Sequence, residues 1–328
     1  MRMLKTGFAA SLLAAGALAQ PAFAQSTTVS TPEGVQMDAN ADLAYKPGEL
    51  SQEQLMSSTR DLFRQNSMNT FRRFPREQTE AMVKFYTEAL ALKSLNPIQL
   101  TSSQQMLLTR VGSGQVKLAA GQQGNRKYVG GGYKAATGLR IYTLTYPDAE
   151  AVKARFTKAG FDAPVFTDQG DGTSSALVTD PAGFSIQVVA KAGAKDGSDD
   201  GVGIGISVSD LEKSRAFYRE FVGLDELAPV QDKLLGVTKY PYRHGETTVY
   251  LYKIDGQLPA DNGSAGIQYV VTDAAMADAK GKARKLAVET PLNKLRGFDL
   301  ITVWLSDPDG VTNYFAQVNR SVVTAPPR

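Results

Sequence analysis

Two stretches of the chain repeat one order of apolar patterns. In the first, Met82, Phe85, Tyr86, Leu90 and Leu92 recur at helical spacing and predict a helix from Gln78 to Leu92. Alternating runs then predict short strands at Gln104 to Arg110, Gln115 to Ala119 and Leu139 to Tyr146. Asp148 to Ala159 reads as a helix ended by Gly160. Two further strands, Ser174 to Thr179 and Phe184 to Val189, flank Asp180-Pro181-Ala182-Gly183, a tight turn with Pro second and Gly fourth. In the second stretch, Val202 to Val208 alternates as a strand, Asp210 caps a helix to Phe221, and Gly223 ends it. Strands follow at Leu235 to Lys239, Thr247 to Tyr252 and Gly266 to Val271, then a helix at Asp273 to Leu286. Leu300 to Leu305 and Asn313 to Val318 are strands around Asp307-Pro308-Asp309-Gly310. Phe85-Tyr86-Thr87-Glu88 and Phe217-Tyr218-Arg219-Glu220 are 132 residues apart, and the two Asp-Pro turns 127 apart. A period this long is a structural module rather than a solenoid repeat. The fold class expected is α+β, two tandem βαβββ modules with a second helix between the later strands and the helices collected on one sheet face.

What precedes the repeat reads differently. Arg2 and Lys5, an apolar run from Phe8 to Ala19 and Ala22-Phe23-Ala24 have the form of a secretory signal peptide, residues 1–24, cleaved before Gln25. The apolar run is too short to span a bilayer. Gln25 to Pro47 is polar and Pro/Ala-rich, so residues 25–69 are expected to form a poorly ordered leader and then a helix from the capping box Ser51-Gln52-Glu53-Gln54 to about Phe63. The first module is expected over 70–190, an Ala/Gly/Lys/Asp-rich linker over 191–201, the second module over 202–320 and a tail over 321–328.

Composition narrows the setting. The chain has 328 residues, no cysteine and a formal charge of +3, which falls to +1 without Arg2 and Lys5. A cysteine-free exported chain is stabilised by core packing alone, and a periplasmic or secreted location is expected. No cluster of basic residues interleaves with aromatics, so nucleic acid is not an expected partner, and neither is a membrane span. The expected partner is a small-molecule ligand, with the protein a monomer or a homodimer.

The run from Gly203 through Ser209-Asp210-Leu211 to Phe217-Tyr218, then Val222-Gly223-Leu224, resembles the opening of a vicinal oxygen chelate module. The Asp-Pro-x-Gly turn before a last strand is the other hallmark of that superfamily, which includes glyoxalases, extradiol dioxygenases, epimerases and bleomycin-resistance binding proteins. The resemblance spans about 250 residues in both halves. It implies paired modules forming incomplete barrels around a small-molecule cavity, in most members with a divalent metal held by His or Glu. By register, the positions it implies for those ligands are Gly203, Tyr250, Gly266 and Tyr314 in the second half. In the first they are Phe71, Lys117, Ile141 (Arg140 if the strand slips by one) and Gln187. None is His, Asp or Glu. The chain has one histidine, His244, so neither a two-His-one-carboxylate iron site nor a His-rich zinc site can be built within it. No cofactor is therefore expected.

The residues standing there define the expected site. Tyr250 and Tyr314 are expected on neighbouring or near-neighbouring strands facing one cavity, with Gln268 sharing the face of Gly266 and Gly203 and Gly205 leaving room. They read either as phenols orienting an aromatic ligand or as residues filling the space of a vanished metal. Lys117 and Arg140 could meet a carboxylate or enolate, Gln187 shares their module's cavity, and Trp304 belongs to the last hairpin as rim or packing. His244, in the turn Tyr242 to Glu246, reads as a loop residue or as a general base. Two function classes follow. One is a non-catalytic exported protein binding a small apolar or aromatic molecule. The other is a metal-independent lyase or isomerase whose acid-base groups come from Tyr250, Tyr314, His244 or Lys117. A metal-dependent glyoxalase or dioxygenase is the third reading.

Overall fold

The computed structural model describes residues 27–30, 36–39, 41–101, 104–122, 125–295 and 299–318. The expected signal peptide and tail lie outside them. The leader contributes strands β1 (Thr27–Ser30) and β2 (Gln36–Ala39) and helix α1 (Gln52–Met56). The capping box at Ser51 is made in full, but the helix stops at Ser57 rather than near Phe63, and a 3-10 turn, Arg60–Leu62, follows.

Four βαβββ units then succeed one another. The first is β3 (Asn69–Phe74), α2 (Thr79–Lys84), β4 (Ser94–Thr101), β5 (Gln104–Val111) and β6 (Gly114–Ala120). The second is β7 (Gly138–Tyr146), α3 (Ala149–Lys158), β8 (Thr167–Asp168), β9 (Thr173–Thr179) and β10 (Ser185–Lys191). The third is β11 (Gly203–Ser207), α4 (Leu211–Ala216), the short β12 (Asp225–Glu226) and β13 (Val230–Asp232), β14 (Val237–His244) and β15 (Thr247–Tyr252). The fourth is β16 (Ala265–Val271), α5 (Ala274–Ala283), β17 (Val288–Leu295), β18 (Leu300–Ser306) and β19 (Thr312–Val318). Each half of the chain thus holds two units, where the sequence pattern indicated one.

The units pair across the halves. One sheet runs β1-β2-β17-β18-β19-β16-β3-β6-β5-β4, joining the fourth unit to the first through antiparallel β16 and β3. The other runs β12-β14-β15-β11-β7-β10-β9-β8, joining the third unit to the second through β11 and β7. Neither half closes a sheet by itself. The leader, expected to be poorly ordered, extends the first sheet where β2 pairs with β17.

Alternation sorts each sheet into a core face and an opposite face. Phe74, Leu118, Tyr142, Ile204, Val249, Ile267, Tyr269, Val303 and Phe315 meet the helix residues Met82, Phe85, Phe156 and Phe217 in one apolar core. The repeated motifs meet on that core side. Phe85 and Phe217 each open a π-turn, Phe85–Ala89 and Phe217–Val222, that buries the tyrosine after them. Tyr86 then donates to Asp180 Oδ2 at 3.3 Å, and Tyr218 to Asp307 Oδ2 at 2.9 Å. In each turn Oδ1 of the Asp also accepts two backbone N–H groups, from Ala182 and Phe184 or from Asp309 and Val311. The two motifs are therefore the two ends of one interaction, made twice.

Candidate functional site

Register brings the eight positions singled out by sequence into two groups of four. On the first sheet, Phe71 lies between Lys117 and Gly266, and Tyr314 is paired to Gln268 one step along. On the second, Thr143 lies between Gln187 and Gly203, and Gly205 lies between Ile141 and Tyr250. Tyr250 and Tyr314 therefore sit on different sheets. The expectation that they share neighbouring strands is corrected by the exchange of units between halves, which pattern alone does not reveal.

The second sheet's face is filled from within. Lys239 Nζ is 2.7 Å from Asp232 Oδ2 and donates to Gln187 Oε1 at 2.6 Å. Gln187 Nε2 donates to the same carboxylate at 2.7 Å, and Thr143 Oγ1 to Gln187 Oε1 at 3.2 Å. The Lys239 and Asp232 side chains are less than a tenth exposed. Burial alone would raise the Asp232 carboxyl, but the Lys239 ammonium together with hydrogen bonds from the Leu235 N–H and Gln187 outweighs it and holds the group below the usual range. The Lys239 ammonium also lies 5.0 Å from the centre of the Tyr250 ring. Burial raises the Tyr250 phenol above its ordinary pKa. Ile141, Leu235, Val237 and Tyr252 close the rest of the face as a separate apolar cluster. The room expected at Gly203 and Gly205 is taken: a Cβ would stand 2.7 Å from the Tyr250 ring at one and 2.2 Å from Ile141 Cγ2 at the other. Arg140 is buried and committed to Asp261 and to the Gly132 carbonyl, tying two loops together.

The first sheet's face is different. Asn69, Gln268, Tyr314, Trp304 and Thr290 are successive cross-strand neighbours on β3, β16, β19, β18 and β17. They form a polar and aromatic row. Gln268 Oε1 accepts from Asn69 Nδ2 at 3.0 Å and from Lys117 Nζ at 2.5 Å. The Trp304 and Tyr314 rings lie 5.1 Å apart. Burial raises the Tyr314 phenol, against the opposing effect of the Gln268 and Thr302 side chains beside it. Asn69 Oδ1, Thr290 Oγ1 and Trp304 Nε1 are buried without a hydrogen-bond partner. A buried polar atom left unpaired costs about 1–3 kcal/mol, so such atoms gathered in one row call for an explanation. Lys117 sharpens the need: no carboxylate among the described residues neutralises it, and desolvation lowers its pKa to about 8. Gly266 leaves no gap, because the Phe71 ring stands 2.2 Å from where its Cβ would be.

The structure thus gathers Lys117, Gly266, Gln268, Trp304 and Tyr314 on one face, and Gln187, Gly203 and Tyr250 on the other. His244 shares the face of Tyr240 and Tyr242 by alternation and joins neither group. Its Nε2 is 2.7 Å from the Gln65 carbonyl and its ring meets Phe63 edge-on at 4.7 Å. Sequence reading missed Asn69, Thr290, Lys239 and Asp232. The first two lie on strands without a clear alternation, and Asp232 arrives on a hairpin whose fold-back carries no local signal. A cleft of about 370 Å³ opens elsewhere, beside Tyr45 and Asp273. Its Tyr45 hydroxyl is already given to Asp273 at 2.6 Å, and none of its lining atoms is both buried and unpartnered, so the row is the better site.

A divalent metal does not suit either group of four. Their side chains offer two phenols, an amide and an ammonium, and among the described residues no three His, Cys, Asp or Glu side chains come together to hold an ion. No family model matches the chain, and no curated protein matches it. Solved structures do. Glyoxalase I from Zea mays aligns over 76% of this chain and 92% of its own, at 18% identity and a TM-score of 0.59. A putative dioxygenase from Bacillus subtilis aligns over 80% of this chain and 87% of its own, at 13% identity and a TM-score of 0.57. The chain has the vicinal oxygen chelate fold, with mixed α+β units in two open sheets.

Proposed function

We propose that this is an exported protein that binds a small aromatic or largely apolar molecule on the outer face of the first sheet, without a divalent metal. The signal-peptide pattern supports the periplasm or secretion. No described helix is long and apolar enough to cross a membrane. The two chain halves, 70–190 and 202–320, act as one unit in this reading, because the first supplies β3 and β6 to this face and the second supplies β16, β17, β18 and β19. One observation carries the reading: the row from Asn69 to Thr290 holds buried, unpartnered polar atoms beside two aromatic rings. An orienting set of a few polar groups against aromatic walls is what a small-molecule site requires.

A second reading has its own support. An amine whose pKa lies near 8, bonded to a glutamine whose cross-strand neighbour is the phenol Tyr314, suits proton transfer near neutral pH. In that reading Lys117 and Tyr314 would serve a lyase or isomerase. Trp304 is the chain's one tryptophan, so its fluorescence reports on the row. Titration with aromatic and dicarbonyl metabolites, followed by product analysis, separates binding from turnover. Turnover lost in Tyr314→Phe with binding retained would favour the enzyme. Stoichiometric iron, zinc, nickel or manganese in purified protein would overturn the metal-free premise of both.

A further inference from the structure

The two faces share one piece of chemistry. On each, a lysine Nζ donates to a glutamine Oε1, at 2.6 Å for Lys239 and Gln187 and at 2.5 Å for Lys117 and Gln268. The lysines come from different strands, β14 and β6, so the likeness is chemical and not positional. On the second sheet a third member completes the set. The Asp232 carboxylate takes Lys239 Nζ and Gln187 Nε2 on one oxygen, both at 2.7 Å. On the first sheet no such member stands among the described residues. An ammonium has three donors, and Gln268 uses one of those on Lys117. A half-buried ammonium without an anion carries a desolvation cost that a nearby anion offsets.

We propose that the ligand of the first sheet is an aromatic carboxylate, whose carboxylate occupies beside Lys117 and Gln268 the place Asp232 takes beside Lys239 and Gln187, with its ring against Trp304 and Tyr314. This rests on the small-molecule reading above and adds its charge and class. A carboxylate fits better than a bulkier tetrahedral anion: the internal occupant is planar, and the lysine and amide reach it from one side. The Trp304 and Tyr314 rings supply flat apolar surface, and the unpartnered Trp304 Nε1 is a donor for a ring substituent. The lowered basicity of Lys117 describes the empty site, and a bound anion would restore its charge.

The test uses the full mature chain and the fluorescence of Trp304. Benzoate, phenylacetate and cinnamate are titrated at pH 7 against their amides, in wild type and in Lys117→Met. Each acid is expected to bind at least about tenfold more tightly than its amide, as a charge-assisted hydrogen bond provides. Lys117→Met is expected to abolish that preference, and a cooperative thermal transition shows that the variant is folded. Affinity for the acids is expected to fall as pH rises above about 8. If acids and amides bind wild type alike, or Lys117→Met keeps the preference, the carboxylate inference is overturned and small-molecule binding stands. If no compound alters Trp304 emission or thermal midpoint at millimolar concentration, both are overturned.

Discussion

Lys117→Met should make the protein more stable, and the gain can be worked from its surroundings. Desolvation lowers the Lys117 pKa from 10.5 to about 8, with no opposing ion pair. A shift of this size corresponds to about 3 kcal/mol of penalty on the charged form. The sign follows from proton binding. Between pH 8 and 10.5 the unfolded chain holds this proton and the folded chain has released it, so stability rises with pH across that window. Below pH 8 the penalty is fully present. Methionine has a similar shape and no charge, and Gln268 Oε1 keeps a donor in Asn69 Nδ2. Partial exposure of the lysine limits the gain, so about 2–3 kcal/mol is expected at pH 7, falling toward zero by pH 10.5. Urea unfolding of both proteins at pH 7 and pH 10 measures it, and groups that titrate in both cancel in the difference. A variant less stable than wild type at pH 7, or a gain unchanged at pH 10, would refute desolvation as the cost.

Four further outcomes follow from the same geometry. Burial raises Asp307 from 3.8 to about 7, so the folded chain binds a proton there that the unfolded chain has lost, and stability falls from pH 4 to pH 7. Asp307→Asn should flatten that slope, gaining up to about 4 kcal/mol at pH 8 relative to pH 4 in denaturant titrations. Asp180 has Arg72 Nε at 3.2 Å, both side chains buried, so Asp180→Asn should instead destabilise by about 3 kcal/mol at pH 7. Asp232→Ala should lower the thermal midpoint by leaving Lys239 and Gln187 without their carboxylate, and added formate should recover part of it, whereas formamide should not. Gly138→Ala should prevent folding or lower the midpoint by many degrees, because φ is +113° there and a Cβ would stand 2.2 Å from the Asp261 carbonyl oxygen.

Much of the fold was legible because core-facing residues alternate or recur at helical spacing, and the twofold motif marked the period. What escaped has physical reasons. β3 is buried at all six positions, so its sequence, with Arg72 and Arg73, shows no alternation. β17 carries Pro291 and two register shifts, and so reads as loop. β4 pairs on a sheet edge with shifts of its own. Pairing of units across the halves leaves no local trace, since order along the chain is the same whether neighbouring or distant units pair. That is why Tyr250 and Tyr314 were placed together when they lie on different sheets. The site residues Lys117, Gln268, Trp304 and Tyr314 were nameable because alternation sets which face a strand residue occupies, whichever sheet the strand joins. Asp232 was not, because a hairpin's reach over a sheet is a tertiary fact.

The repeat and the divergence have a common cause. Phe-Tyr and Asp-Pro-x-Gly lie at two ends of one buried interaction, and the residues around them belong to a single apolar core that spans both sheets. A change there disturbs many neighbours at once, because close-packed interiors transmit it. Each outer face is instead a separate local group. Lys239 can be answered by Asp232, and Gly203 filled by Tyr250, without any adjustment at Lys117 or Trp304. Two copies of one scaffold can then differ in a single respect. One face supplies the anion for its own lysine and is closed. The other leaves its lysine without a carboxylate and an indole N–H and an amide oxygen without a partner. The difference is one carboxylate, inside the chain at Asp232 and, on our proposal, carried by the ligand at Lys117.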